Sequence, residues 1–298
     1  YRHTFKNGLH FGVTASVADD KTEVTKWTYN TKIPSYGATG WWDKSAYKEG
    51  MVLGDIWGLQ FDRFLTEDDF NADGSLKAGL PDQTKVFPAG YQFAPGDVLY
   101  KDLDNNGEIV KQTNTNDKGD LSVIGNALPR LQFGLNLDAA WKGFDISMFF
   151  QGVAKRKLWA AGNQVLPGFT TGEPFYKGAE DYWTPENTDA FYPRPMDYKQ
   201  SASGNYSVND RYLLTMAYLR LKTFTVGYSL PKVWLSKFKV QGLRVYFTGE
   251  NLFTIDGVKP AIDPEIGIRT ASGKSDQRNF GRSYPYQKTV SFGIQLSL

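Results

Sequence analysis

Residues 102–109 read Asp-Leu-Asp-Asn-Asn-Gly-Glu-Ile. Oxygen side chains at alternate positions, ahead of a glycine that turns the chain sharply, form the front half of an EF-hand-type calcium loop. Asp102, Asp104 and Asn106 would turn side-chain oxygens onto one hard cation, Ca²⁺ before others, and Glu108 in the seventh place would offer its backbone carbonyl. Thr113 occupies the twelfth place, where a bidentate Glu belongs. Closure then falls to Asp117 or Asp120 across an insertion, with Asp120 taken as the candidate ligand. The competing reading is an Asx turn held by its own side-chain to backbone bonds.

A second group is aromatic. Trp41-Trp42, Trp57, Trp159, Tyr182 and Trp183 fall in or beside long connections. Exposed rings there would stack on sugar rings or pack on a partner protein, so Trp159, Tyr182 and Trp183 are candidate substrate or partner contacts. Catalytic residues are harder to find. The chain has no cysteine and only two histidines, His3 and His10. That excludes disulfides, thiolate metal sites and a cysteine nucleophile, and confines any histidine chemistry to one end. Paired acids such as Asp68-Asp69 and Glu180-Asp181 are compatible with a glycosidase but do not fix a spacing. No enzymatic activity is expected. Asn205-Tyr206-Ser207 matches a glycosylation sequon.

The 298 residues carry 34 basic and 32 acidic side chains, too even a balance to call for nucleic acid. No run approaches the 18 or so apolar residues of a membrane helix. Aromatics make up 15% of the chain and glycines number 30. A transmembrane β-barrel, whose strands alternate lipid-facing and lumen-facing residues, has this kind of composition. A soluble carbohydrate-binding β-protein shares it. The opening Tyr1-Arg2-His3-Thr4-Phe5 reads as the end of a strand.

Alternation with period two dominates the chain. Leu9, Phe11, Val13, Ala15 and Val17 share one face, after a two-residue turn expected at Asn7-Gly8. In 131–152, a turn at Lys142-Gly143 would pair Trp141 with Phe144, Ala139 with Ile146, Leu137 with Met148 and Leu135 with Phe150. Every pair is apolar on one face. Leu243, Val245 and Phe247 begin a strand running on to Phe253, and Val290, Phe292, Ile294 and Leu296 lie on one face of the last. Over 218–230 the apolar positions change parity, which a bulge near Thr223 or a change of environment along the strand would reconcile. Weaker strands are expected at 21–29, 53–64 and 97–101, and a short helix over Lys232–Phe238. The turn at 142–143 is minimal, whereas 154–213 and 255–284 are very long connections. Short turns at one end and long loops at the other are the habit of outer-membrane barrels.

Several segments, in order, resemble the C-terminal part of SusC/RagA-type TonB-dependent transporters. They include Gly54-Asp55-Ile56-Trp57-Gly58, Pro95-Gly96-Asp97 through Gly107, Ile124-Gly125-Asn126, and Trp141-Lys142-Gly143-Phe144-Asp145 with Phe149-Phe150-Gln151-Gly152. They continue with Tyr218-Leu219-Arg220-Leu221-Lys222, Gly227-Tyr228-Ser229-Leu230-Pro231, Leu243-Arg244-Val245-Tyr246, Gly249-Glu250-Asn251-Leu252-Phe253 and Tyr284-Pro285. The final Leu298 departs from the aromatic that usually ends such barrels.

The resemblance implies an all-β fold: an antiparallel transmembrane β-barrel segment with long extracellular loops, about eight or nine strands of a barrel of about 22. Residues 1–298 would be the C-terminal portion of that barrel, unable to close alone, with plug domain, TonB box and signal peptide outside the chain. The implied setting is the outer membrane of a Gram-negative bacterium, of the kind typical of Bacteroidetes. The implied partners are a SusD-like surface lipoprotein, TonB, outer-membrane lipid, and an oligosaccharide or peptide substrate. Leu135, Leu137, Ile146, Met148, Val290, Phe292, Ile294 and Leu296 are expected to face lipid.

Overall fold

In the computed structural model, the described residues are 1–27, 49–114, 117–160, 162–169, 174–196, 204–238, 240–259, 262–265, 284 and 286–298. The expected contacts at Trp41-Trp42 lie outside them, as does most of 255–284. The regular secondary structure of the described residues is almost wholly β. It opens with β1 (Arg2–Thr4) and β2 (His10–Ala18), then β3 (Asp55–Gly58), β4 (Phe61–Phe64) and β5 (Val98–Tyr100). After β6 (Lys111–Asn114), β7 (Asp117–Gly119) and β8 (Ser122–Asn126) come the long strands β9 (Arg130–Trp141) and β10 (Phe144–Lys155). The chain continues through β11 (Lys157–Leu158), β12 (Leu214–Thr215) and β13 (Tyr218–Ser229) to a one-turn helix, α1 (Lys232–Leu235). It finishes with β14 (Gly242–Glu250), β15 (Thr254–Asp256) and β16 (Thr289–Ser297).

One antiparallel sheet dominates, in the order β1-β2-β9-β10-β13-β14-β16, with β15 also paired to β13. The β9–β10 hairpin has the expected register at all four pairs, Trp141–Phe144 through Leu135–Phe150. Lys142 (φ 47°) and Gly143 (φ 91°) both take the left-handed conformation that a two-residue hairpin turn requires. The bulge near Thr223 is present. Phe149 faces Thr223 and Phe150 faces Leu221, which leaves Lys222 as the extra residue and restores apolar parity.

Three expectations need correction. The first turn is longer than Asn7-Gly8: Gly8 N–H bonds Phe5 O (2.9 Å) and Phe5 N–H bonds Leu9 O (2.8 Å). Gly8, at φ 82°, takes up the extra residue of a type I turn with a bulge. The strand from Leu243 stops at Glu250 instead of running to Phe253, because Asn251 turns left-handed (φ 51°). Its continuation β15 re-pairs with Tyr218–Arg220, opposite the far side of the Lys222 bulge. In 21–27 only an isolated bridge, Glu23 to Val52, is formed.

The buried core lies in the connections, not on the sheet. One cluster gathers Ile56, Leu158, Trp159, Val165, Leu166, Tyr192, Tyr206, Tyr212, Leu214 and Met216. A second gathers Leu59, Phe64, Val86, Phe87, Val98, Tyr100, Ile109 and Trp183. Four two-stranded ladders stiffen this body: β3 with β8, β4 with β5, β6 with β7, and β11 with β12. The described residues of 49–126 and 154–216 therefore form a folded cap at the end of the sheet opposite Lys142-Gly143.

Candidate functional site

The sheet has two unlike faces. Pairing carries one apolar row from β2 to β16: Val13–Leu137, Leu137–Met148, Met148–Phe224, then Val226–Phe247 and Phe247–Phe292. On β16 this row is open to solvent, with Phe292 83% and Ile294 73% exposed. Leu135, Leu137, Ile146 and Met148 are half-buried by their strand neighbours. Trp141 and Phe144 flank the tight turn and remain exposed, and Lys142 Nζ sits 4.5 Å from the Trp141 ring centroid.

The opposite face is polar and cross-linked. Arg244 on β14 reaches across β13 to clamp Asp145 on β10 through Nε (2.9 Å) and Nη2 (2.5 Å). Gly227 lies under that arm: a Cβ there would meet Arg244 Nη2 at 2.5 Å. Thr225 bonds Thr248 on the same face at 3.2 Å. Towards the cap, Arg220 is buried and pairs with Asp263 (2.7 Å), while Lys222 pairs with Glu265 (2.6 Å). An apolar outer face with a polar inner one is the pattern of an outer-membrane barrel wall.

The cap places the candidate aromatics differently from one another. Trp159 and Trp183 are 3% and 7% exposed and sit in the two buried clusters, so they hold the cap together instead of meeting a ligand. Tyr182 is exposed. With Phe175, Tyr176, Tyr192 and three prolines it lines a cleft of about 380 Å³, with Lys177 and Glu180 also in its wall. Burial, with Asp181 nearby, pushes the Tyr192 hydroxyl up to about 12. Asn205 of the sequon is fully buried and bonds Asp97 (2.9 Å), so it is no glycan acceptor in this fold. Asp69 is clamped by Arg63 at 2.6 and 2.7 Å, a structural use of one member of the Asp68-Asp69 pair.

The acidic loop closes on Asp120. Asp102, Asp104 and Asp120 each bring one carboxylate oxygen within 4.8 Å of the others. The turn is shaped by its own backbone: Asp102 accepts from Gly107 N–H (2.7 Å), and Asp104 from Asn106 N–H (3.1 Å). Asn105 (φ 56°) and Gly107 (φ 84°) are both left-handed. Asp120, fully buried, accepts from Leu103 N–H and Val110 N–H, each at 2.7 Å. Asn106 Oδ1 takes the Glu108 N–H (2.8 Å), and the Glu108 carboxylate pairs with Lys85. Desolvation, then the charges of Asp120 and Asp102, raises the Asp104 carboxyl. Desolvation works in the same direction on Asp102, but the Gly107 and Asn106 N–H groups outweigh it and lower that carboxyl. Three hard oxygen donors at one point suit a divalent cation.

No family model matches the chain. It is 29% identical over 258 residues to TonB-dependent receptor P3 of Formosa agariphila, covering 84% of this chain and 22% of that protein. TonB-dependent receptor P26 of the same organism is 32% identical over 200 residues, covering 65% of this chain and 19% of P26. TonB-dependent receptor SusC of Bacteroides thetaiotaomicron is 24% identical over 242 residues. The chain is similar to TonB-dependent receptors, SusC among them. It spans about a fifth of the length of these curated relatives. Its fold matches the RagAB peptide importer in the open-open state, with a TM-score of 0.61 and 18% identity, over all of this chain and 27% of that one.

The SusC/RagA-like segment Pro95-Gly96-Asp97 proves to be a structural node that sequence reading alone passed over. Buried Asp97 accepts from Tyr91 Oη (2.8 Å), Ala94 N–H (2.9 Å), Arg194 Nε (2.8 Å) and Asn205 Nδ2 (2.9 Å). It ties three distant stretches of the cap together. Gly96, at φ 90°, lets the Trp183 ring lie against the backbone. A Pro-Gly-Asp turn followed by the apolar Val98-Leu99 was the one local signal that this acid enters a core.

Proposed function

We propose that this chain is part of the barrel wall of an outer-membrane, TonB-dependent importer, the C-terminal portion of its barrel. The pair of unlike sheet faces carries the reading. An apolar row that runs across the sheet, half-buried on the inner strands and open on β16, suits lipid, and the Arg244–Asp145 clamp and the Thr225–Thr248 pair behind it suit a hydrated lumen. A soluble sugar-binding sandwich would cover the apolar row with a second layer.

The cargo is an oligosaccharide or a peptide, and no bond is broken in moving it. Transport is energised by TonB acting on a part of the parent protein beyond this chain. A SusD-like surface lipoprotein closes over the cap, whose open cleft around Phe175, Tyr176 and Tyr182 offers the rings that protein interfaces favour. The acidic loop holds Ca²⁺ through Asp102, Asp104 and Asp120, bracing the cap.

Deleting 160–205 from the full-length transporter tests the reading. Lid association and uptake should be lost while barrel assembly persists. An intact complex with normal uptake would show that the lid docks elsewhere.

A further inference from the structure

Three connections lie at the end of the sheet away from the cap: 5–9 between β1 and β2, 142–143 between β9 and β10, and 230–241 between β13 and β14, which carries α1. They hold Lys6, Lys142, Lys232, Lys237 and Lys239, and no aspartate or glutamate. Lys6, Lys142, Lys232 and Lys237 are exposed. None of these four takes part in an ion pair among the described residues, where the paired lysines are Lys21, Lys85 and Lys222. The strand acids at this end belong to the polar face. Asp145, next to Ile146, is clamped by Arg244, and Asp138, next to Leu137, lies 3.7 Å from His10.

The three connections stand at one level. Trp141 and Phe144 share the face of Leu137 and Met148, and the Phe144 ring packs on Tyr228 with centroids 4.5 Å apart. Lys142 leans to that side, over the Trp141 ring. Trp141 Nε1 donates to Asn7 O at 3.3 Å, which sets the first turn beside it. Ser229 N–H bonds Gly143 O at 2.8 Å, so α1, beginning three residues later at Lys232, starts level with the Lys142-Gly143 turn. Leu235 of α1 is buried, whereas Val233 and Trp234 are 78% and 60% exposed.

An exposed valine and tryptophan among unpaired lysines, continuous with an apolar sheet face, have the make-up of a segment lying in a membrane interface. In the barrel reading the cap faces outward, so this rim meets the periplasmic leaflet.

We propose that the rim docks on the headgroups of acidic phospholipids in that leaflet, with α1 as an interfacial anchor. The rings and Val233 enter the boundary between headgroups and acyl chains, and the lysines stay with the phosphates. Five cations with no acid among them favour a lipid of net negative charge over a zwitterionic one. The proposal rests on the barrel reading above, and insertion is checked independently.

The full-length protein, delipidated in detergent, is titrated with phosphatidylglycerol and with phosphatidylcholine, and bound lipid is read by native mass spectrometry. Lys142→Gln/Lys232→Gln is compared with Lys77→Gln/Lys177→Gln, a matched change in the cap. Heat-modifiable migration and insertion into vesicles show that each variant forms a barrel. Failure of the wild type to insert would overturn the barrel reading itself. With the barrel intact, the wild type should prefer phosphatidylglycerol, and the rim variant should bind it about 25-fold more weakly, about fivefold per lysine. The cap variant should bind as the wild type does. Equal affinity of the wild type for the two lipids, or equal losses in rim and cap variants, would overturn the proposal. A second arm reads α1 directly. Trp234→p-benzoylphenylalanine, irradiated in outer membranes, should cross-link to phospholipid. A cross-link to protein alone would give the rim to a periplasmic partner and overturn the proposal. This arm leaves every lysine in place, so it decides the matter should the rim variant not insert.

Discussion

Replacing Ile294 by arginine should destabilise the barrel by about 2–4 kcal/mol, whereas replacing its neighbour Gln295 should change stability by about 0.5 kcal/mol or less. Val290, Phe292, Ile294 and Leu296 form one row on β16, and its midpoint falls at Gly293. Ile294 is one residue away, about 3.4 Å along the strand and about 2.6 Å along the normal at a tilt of about 40°. An arginine there lies close to the midplane, where the cost is largest. Ile294 is 73% exposed. Gln295 points to the polar face, opposite Arg244. A difference of about 2–3 kcal/mol is roughly a 30- to 150-fold change in the unfolding constant. Denaturant titration of the full-length protein in phospholipid vesicles, followed by tryptophan fluorescence, measures both variants. Equal losses, or a larger loss for Gln295→Arg, would refute the assignment of faces.

Other consequences are separable. Gly227→Val should push Arg244 off Asp145, costing about 1–3 kcal/mol by crowding alone, and in an Asp145→Ala background the added loss should shrink. Asp104→Ala should weaken Ca²⁺ binding at least tenfold by calorimetry and make the cap, but not the sheet, sensitive to protease; unchanged affinity would return the loop to a plain Asx turn. Arg63 beside Asp69 holds that carboxyl down at about 2. Because the folded value is depressed, its contribution of about 1–2 kcal/mol is present above pH 4 and lost as pH falls from about 4 towards 2. Cap melting should show that slope, and Asp69→Asn should flatten it.

The strand pattern was legible in the residues because it is local. Side chains alternate every residue, so the apolar face of 131–152 dictates both a strand and its register, and a one-residue slip would misplace every pair. The parity change at 218–230 left a bulge or a change of environment open, and the bulge is found at Lys222. The front of the acidic loop was equally local, since Asp102 and Asp104 bond N–H groups only a few residues on.

Where the alternation runs out, so does the inference. Trp159, Tyr182 and Trp183 look alike in a list of aromatics. Two are buried and one lines a cleft because the cap folds around contacts more than 90 residues apart, such as Asp97 with Arg194 and Asn205. Thr113 stands in the twelfth place of the acidic loop, yet Asp120 faces Asp102 because the β6–β7 hairpin brings the chain back. The basic rim draws Lys6, Lys142 and Lys232 from three separate connections. Residue type and period decide a strand's faces, because each side chain's direction depends only on its own backbone. Which distant groups share a space depends on long-range closure, and only the folded chain decides that.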